Sequence, residues 1–236
     1  MPPTATIQDI KAYREKSEKG EITPHNLPPC PRCNIEAHHF KIHAYRERRF
    51  LIIVDMVVQA AHCPLVRFVC PGCGKTVPFY PDFAIPHKHY TRQSITGFAE
   101  KYVASGATYQ QAVMDKDEKS VPGYPDGEKT LAPSTVHRWV TGLSRLVNTT
   151  QKALDLICQE NPISSICRDL AQWVVPRSKY RTEGRKTCLL NCFRLLATEA
   201  LFKTTFNFSI FTKLATGPRF LTYASLLLQN QCSASP

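Results

Sequence analysis

Cys30-Pro31-Arg32-Cys33 and Cys70-Pro71-Gly72-Cys73-Gly74-Lys75 decide how this chain is read. Each is a tight turn that points two thiolates and nearby backbone N–H groups at one point. Zinc takes four ligands in a tetrahedron about 2.3 Å from each sulfur, and two such turns at the ends of a hairpin supply them. Four thiolates close the coordination sphere, so Zn2+ is expected here as a structural ion. A module of about 50 residues with few large apolar side chains draws much of its folding free energy from such an ion. Buried or redox-active cysteines are the competing reading, but two CxxC units flanked by Pro and Gly rarely arise that way. Cys63 beside His62, and the His38-His39 pair, could offer a substitute ligand; core or surface packing accounts for them better.

Outward from the knuckles, residues 50–58 and 65–69 are β-biased and residues 38–45 are mixed. Residues 30–80 are therefore expected to form a small antiparallel zinc ribbon. Residues 1–29 read as a polar leader too rich in charge and proline to make a core, although 7–16 could form a short helix. Pro81 and Pro86 make residues 81–90 an extended connector, with Phe79, Tyr80 and Phe83 available to pack it down. From residue 91 to 149 the texture is helical, with Ile95, Phe98, Ala99, Tyr102 and Val103 on one face. A short second helix over 108–114 follows, then an acidic, proline-rich loop over 115–132. A third helix is expected from Ser134, whose hydroxyl can cap it, to about Asn148. Residues 150–228 form a C-terminal helical region and 229–236 a tail. The fold class is α+β, a small β ribbon followed by a mainly α-helical part.

The chain has 236 residues, 30 Lys plus Arg against 19 Asp plus Glu, and a formal net charge of +11. That balance favours a polyanionic partner and a salt-sensitive encounter with it. No apolar run reaches the roughly 18 residues of a membrane span, and residues 1–20 lack the apolar core of a secretion signal. A cytoplasmic location with no membrane partner follows as the expectation, and in a reducing compartment paired cysteines among the ten present read as metal ligands.

Between the knuckles, Lys41, Tyr45, Arg46, Arg48 and Arg49 interleave cations with an aromatic ring on what should be a solvent-facing strand and turn. Arg offers bidentate geometry to phosphate and Tyr45 a hydroxyl. A solvated hairpin face that blocks edge pairing is the plainer reading of the same residues. In Ala132-Pro-Ser134-Thr-Val-His-Arg138-Trp139-Val140-Thr-Gly-Leu143, the side chains of Val136, Val140, Leu143 and Val147 share one face. Ser134, Thr135, His137, Arg138, Thr141 and Arg145 project elsewhere, as on a recognition helix in a major groove. Arg138 is expected to read a base, since Arg pairs bidentately with guanine. Trp139 is expected to anchor the helix in the core. The long loop before this helix is a departure from the three or four residues of the usual helix-turn-helix.

These marks resemble the zinc-ribbon plus helix-turn-helix head of bacterial insertion-sequence transposases and of small bacterial proteins that share it. The resemblance is carried by Cys30-Pro-x-Cys33, Cys70-x-x-Cys73-Gly-x-Thr76, Pro81-Asp82-Phe83 with Pro86 and Tyr90, and Ser134-Thr-Val-His-Arg-Trp139. It spans roughly residues 30–147 by motif order. It implies zinc on the four cysteines, DNA contact by the Ser134 helix, and recognition of mobile-element ends. A transposase also needs three acidic residues holding two catalytic metals. After Asn148 only Asp155, Glu160, Asp169, Glu183 and Glu199 are available, mostly in helical or irregular context, and no catalytic core is visible.

Arg177, Lys179, Arg181, Arg185 and Lys186 form a basic cluster that either extends the DNA contact or is a solvated linker. The segment 187–202 is apolar on more than one side, so it is expected to bury its surplus against a second copy or a transposition-protein partner. Cys188 and Cys192, one helical turn apart, read as buried thiols rather than ligands. The function expected is a non-enzymatic, zinc-stabilised protein that binds double-stranded DNA. The rivals are a protein-interaction adaptor and the head of a transposase whose catalytic half lies elsewhere.

Overall fold

The computed structural model describes residues 3–54, 57–114, 130–161 and 172–213. Among the described residues the fold is α+β, with a three-stranded antiparallel sheet and roughly half of those residues in helices. The chain divides into two compact units, one built on residues 92–210 with 53–59, the other on 2–52 with 60–91 and 211–236. No described helix is long and apolar enough to cross a membrane. Residues 115–129 of the acidic loop and the whole expected tail lie outside the described residues.

In the sheet-bearing unit, β1 (Lys41–Val54), β2 (Val57–Val69) and β3 (Thr76–Pro78) lie in that order across the sheet. The apolar stretch expected as a single run over 50–58 is divided between β1 and β2. The cationic residues from Lys41 to Arg49 all lie on one continuous strand, with no turn among them. Alternation carries Phe50 and Ile52 inward. β3 pairs antiparallel with β2, Phe68 opposite Val77. Pro78 is its last residue and sits on an outer strand, where its missing N–H breaks no ladder.

Part of the expected leader packs on this unit. Helix α1 (Pro3–Glu18) buries Ile10 and Tyr13, three apart and so on one face. Tyr13 lies parallel to Phe79 at 6.3 Å and edge-on to Phe83 at 5.9 Å, and Phe83 in turn meets Phe50 edge-on at 5.2 Å. The Tyr13 hydroxyl accepts from the Val66 N–H at 3.4 Å, and Arg14 donates to the His62 carbonyl. Two apolar side chains one turn apart suffice to dock an otherwise polar helix. The connector packs down as its aromatics suggested, and its far end joins the edge of β1. The Leu51 N–H donates to the His89 carbonyl at 2.8 Å and the Thr91 N–H to the Leu51 carbonyl at 3.1 Å.

The helical unit contains α2 (Arg92–Val103), α3 (Tyr109–Val113), α4 (Pro133–Leu143), α5 (Val147–Glu160) and α6 (Glu183–Phe206), and α7 (Ile210–Lys213) begins at its end. Thr108 and Gln111 form a reciprocal capping box at the start of α3. The helix expected over 134–148 is two helices. α4 starts at Pro133, whose fixed φ suits the first helical position, and Ser134 lies inside the first turn without capping it. Poor helix formers Gly142 and Ser144 end it, and the Ser144 hydroxyl donates to the Thr141 carbonyl at 2.9 Å. α2, α3 and α4 pack pairwise, and α6 packs on α2, α4 and α5. Within this unit α6 buries Leu189, Cys192, Leu195, Leu196 and Phe202, while Leu190, Phe193 and Leu201 are half-buried.

A buried ion pair ties this unit together. Arg92 at the start of α2 lies 3.3 Å from Glu199 on α6, the side chains 7% and 6% exposed. Glu199 also accepts from the Ser209 hydroxyl at 2.6 Å and the Ile210 N–H at 2.8 Å.

Candidate metal centre and nucleic-acid interface

The two knuckles fold alike. The Cys30 N–H donates to the Ile35 carbonyl at 2.8 Å and the Asn34 N–H to the Cys30 carbonyl at 2.9 Å. In the second knuckle the Cys70 N–H donates to the Lys75 carbonyl at 2.9 Å and the Gly74 N–H to the Cys70 carbonyl at 3.0 Å. The residue after each second cysteine is left-handed, Asn34 at φ 59° and Gly74 at φ 69°. Those are the residue types that enter this region most easily. At Gly72 a Cβ would press on Cδ1 of Ile35, so a larger residue there would turn the tip of that side chain aside.

The knuckles bring four sulfurs together. Cys30 Sγ is 3.4 Å from Cys73 Sγ and Cys33 Sγ is 3.4 Å from Cys70 Sγ. All four lie within 4.8 Å of one another, an arrangement that could hold a metal ion. Thiolates at the corners of a tetrahedron about 2.3 Å from an ion would be about 3.8 Å apart, so the donor set fits such an ion. Burial would raise the Cys30 thiol, but the N–H groups of Arg32 and Cys33 and the neighbouring thiols outweigh it and bring it down to about 6. Such N–H groups favour the thiolate that a metal requires. His62, Cys63, His38 and His39 stand outside the cluster. Cys63 is a core thiol pushed up to about 11 by burial. Cys192 is likewise buried and pushed up to about 12, while Cys188 sits in a polar contact with Arg185 and Ser144.

Of the β1 candidates, Lys41, Tyr45, Arg46 and Arg49 are exposed, Tyr45 by 50%. Arg48 differs. Its guanidinium lies 5.6 Å over the Phe50 ring and 5.5 Å over the Tyr80 ring, and it donates to the Tyr80 hydroxyl at 3.2 Å and the Lys88 carbonyl at 3.0 Å. It shares its face of β1 with inward-pointing Phe50, so it is an internal clamp and not a free phosphate ligand. Glu47 on the opposite face lies 3.9 Å from His62.

On α4, Ser134, His137 and Arg138 are exposed and Thr135 is half-buried, while Arg145 lies exposed in the turn after the helix. Arg138 donates to the Thr135 hydroxyl at 3.2 Å. Thr141 does not project to solvent: its hydroxyl oxygen is buried among the helices. Val136, Trp139, Val140 and Leu143 fill the inner face. His137 meets the edge of Tyr109 at 5.5 Å, and Tyr109 stacks on Tyr102 at 3.8 Å. Two members of the C-terminal basic cluster brace this stack. The Lys179 ammonium lies 4.1 Å from the Tyr102 ring and donates to the Tyr102 and Ala107 carbonyls, and Arg185 lies over the Tyr109 ring and donates to its hydroxyl. Burial pushes the Lys179 ammonium down. Arg177 and Arg181 stay exposed.

Residues 30–122 match the model of a family described as a domain of unknown function, DUF6431. The match covers less than half of the chain. It opens on the first metal-competent cysteine, takes in both knuckles, the sheet, α2 and α3, and stops before α4. Comparison with curated proteins and with solved structures gives no match.

Proposed function

We propose that this chain is a non-enzymatic DNA-binding protein whose cysteine cluster holds a structural zinc ion. The observation that carries the reading is the first half of β1. It is a strand at the sheet's edge that follows the first knuckle in the chain, and it offers Lys41, Tyr45, Arg46 and Arg49 to solvent in a chain of net charge +11. Cations on a stiff strand contact phosphates without paying to order the backbone. The exposed His137, Arg138 and Arg145 would add groove contacts, with α3 and α4 acting as the helix-turn-helix pair. Recognition of mobile-element ends is the narrower form of this reading, and motif resemblance supports it.

A second reading, a protein-binding adaptor, is favoured by one feature. β1 is an outer strand with Ile42 45% exposed, a template for strand addition. Binding to labelled duplex DNA across a salt series separates the two. Several neutralised phosphates make log affinity fall steeply and linearly with log salt. A flat response would remove the DNA reading in favour of the adaptor.

A further inference from the structure

His87, Lys88 and His89 form an exposed turn between the connector aromatics and α2. The turn's backbone is fixed to β1 at two points. The Lys88 carbonyl accepts from Arg48 at 3.0 Å, and the His89 carbonyl accepts from the Leu51 N–H at 2.8 Å. Arg48 also holds Tyr80 through its hydroxyl, and the Tyr80 ring lies 6.2 Å from that of His87. The backbone acceptors point inward while all three side chains stay outside. No acidic residue occurs between Phe83 and Arg92.

His87 carries the sharper clue. Its φ is +65°, a left-handed conformation in which glycine is the unstrained choice. An imidazole there is held outward at a conformational cost, and such outliers gather where a side chain has work to do.

We propose that this turn is a second phosphate-contacting segment of the nucleic-acid interface, with Lys88 as its charge and His87 and His89 as added N–H donors. Arg48 is its positioning residue, locking the turn beside the exposed cations of β1. The proposal rests on the DNA-binding reading above.

The test uses the full metal-loaded chain and labelled duplex DNA of random sequence. Lys88→Ala should weaken binding several-fold on every sequence and lower the salt slope by about 1, as the loss of one phosphate contact does. His87→Gly should weaken binding while leaving the melting temperature unchanged or raised. A purely structural histidine would lower it. Arg48→Ala should weaken binding too, and adding Lys88→Ala to it should change little further. Arg48→Lys should not rescue, since an ammonium cannot span Tyr80 and the Lys88 carbonyl as the planar fork does. If the unsubstituted chain binds with a steep salt slope and Lys88→Ala leaves that slope intact, the turn is not part of the interface and the DNA reading stands. If the unsubstituted chain binds no DNA, both fall.

Discussion

Replacing Glu199 by Ala strips the buried Arg92 guanidinium of a carboxylate 3.3 Å away and takes an acceptor from Ser209 and Ile210. With both side chains almost shut off from water, screening gives little relief, and breaking such a pair costs about 3–5 kcal/mol. Folded domains hold only about 5–15 kcal/mol in all, so the loss is a large share. At a urea slope of about 2 kcal/mol/M the midpoint should fall by roughly 2 M. Helical ellipticity in a urea titration reads this directly. Glu199→Gln, which keeps the acceptor oxygen, should lose less. The double variant Arg92→Met with Glu199→Leu should be more stable than Glu199→Ala alone, because apolar side chains of similar volume remove the buried charge as well. A Glu199→Ala variant within about 1 kcal/mol of the parent, or a double variant no better than the single, would refute the assignment of a coupled buried pair.

Three further outcomes follow from the same structure. Cys70→Ser should abolish a stoichiometric metal content measured by elemental analysis, and strong chelator should unfold the sheet-bearing unit; metal-free protein with an unchanged melt would overturn the centre. Burial raises the Tyr13 phenol above its usual 10.0, so the folded chain keeps a proton that the unfolded chain gives up. The docking of α1 is then fully stable below about pH 10 and weakens as pH climbs beyond it, a dependence Tyr13→Phe should remove from alkaline melting curves. Arg138→Ala should cost about 1–3 kcal/mol at one base position in selected duplexes. Equal losses on every sequence would instead make Arg138 a phosphate contact.

The knuckles were legible because ligand chemistry is local: cysteines three apart, with Pro, Asn or Gly beside them, already specify the turn. The sheet was legible from β-branched and aromatic runs. Side-chain employment was not. Arg46, Arg48 and Arg49 look alike in sequence, and only the connector's return to β1 turns Arg48 into a clamp. Lys179 and Arg185 read as free cations, but their partners lie 77 and 76 residues away in Tyr102 and Tyr109. Thr141 fell on the solvent side of an isolated helix, and packing around α4 encloses its hydroxyl oxygen instead. The docking of α1 was missed because composition outweighed two well-spaced apolar residues.

The cluster joins Cys30 and Cys33 to Cys70 and Cys73 across the whole length of the β1–β2 hairpin. An ion held there would close a ring in the chain, as a disulfide does. For a ring of about 40 residues, the lost freedom of the denatured chain alone corresponds to about 4 kcal/mol. A chain heated until its strands part, but still gripping its ion, would be a tethered loop ready to re-pair in register.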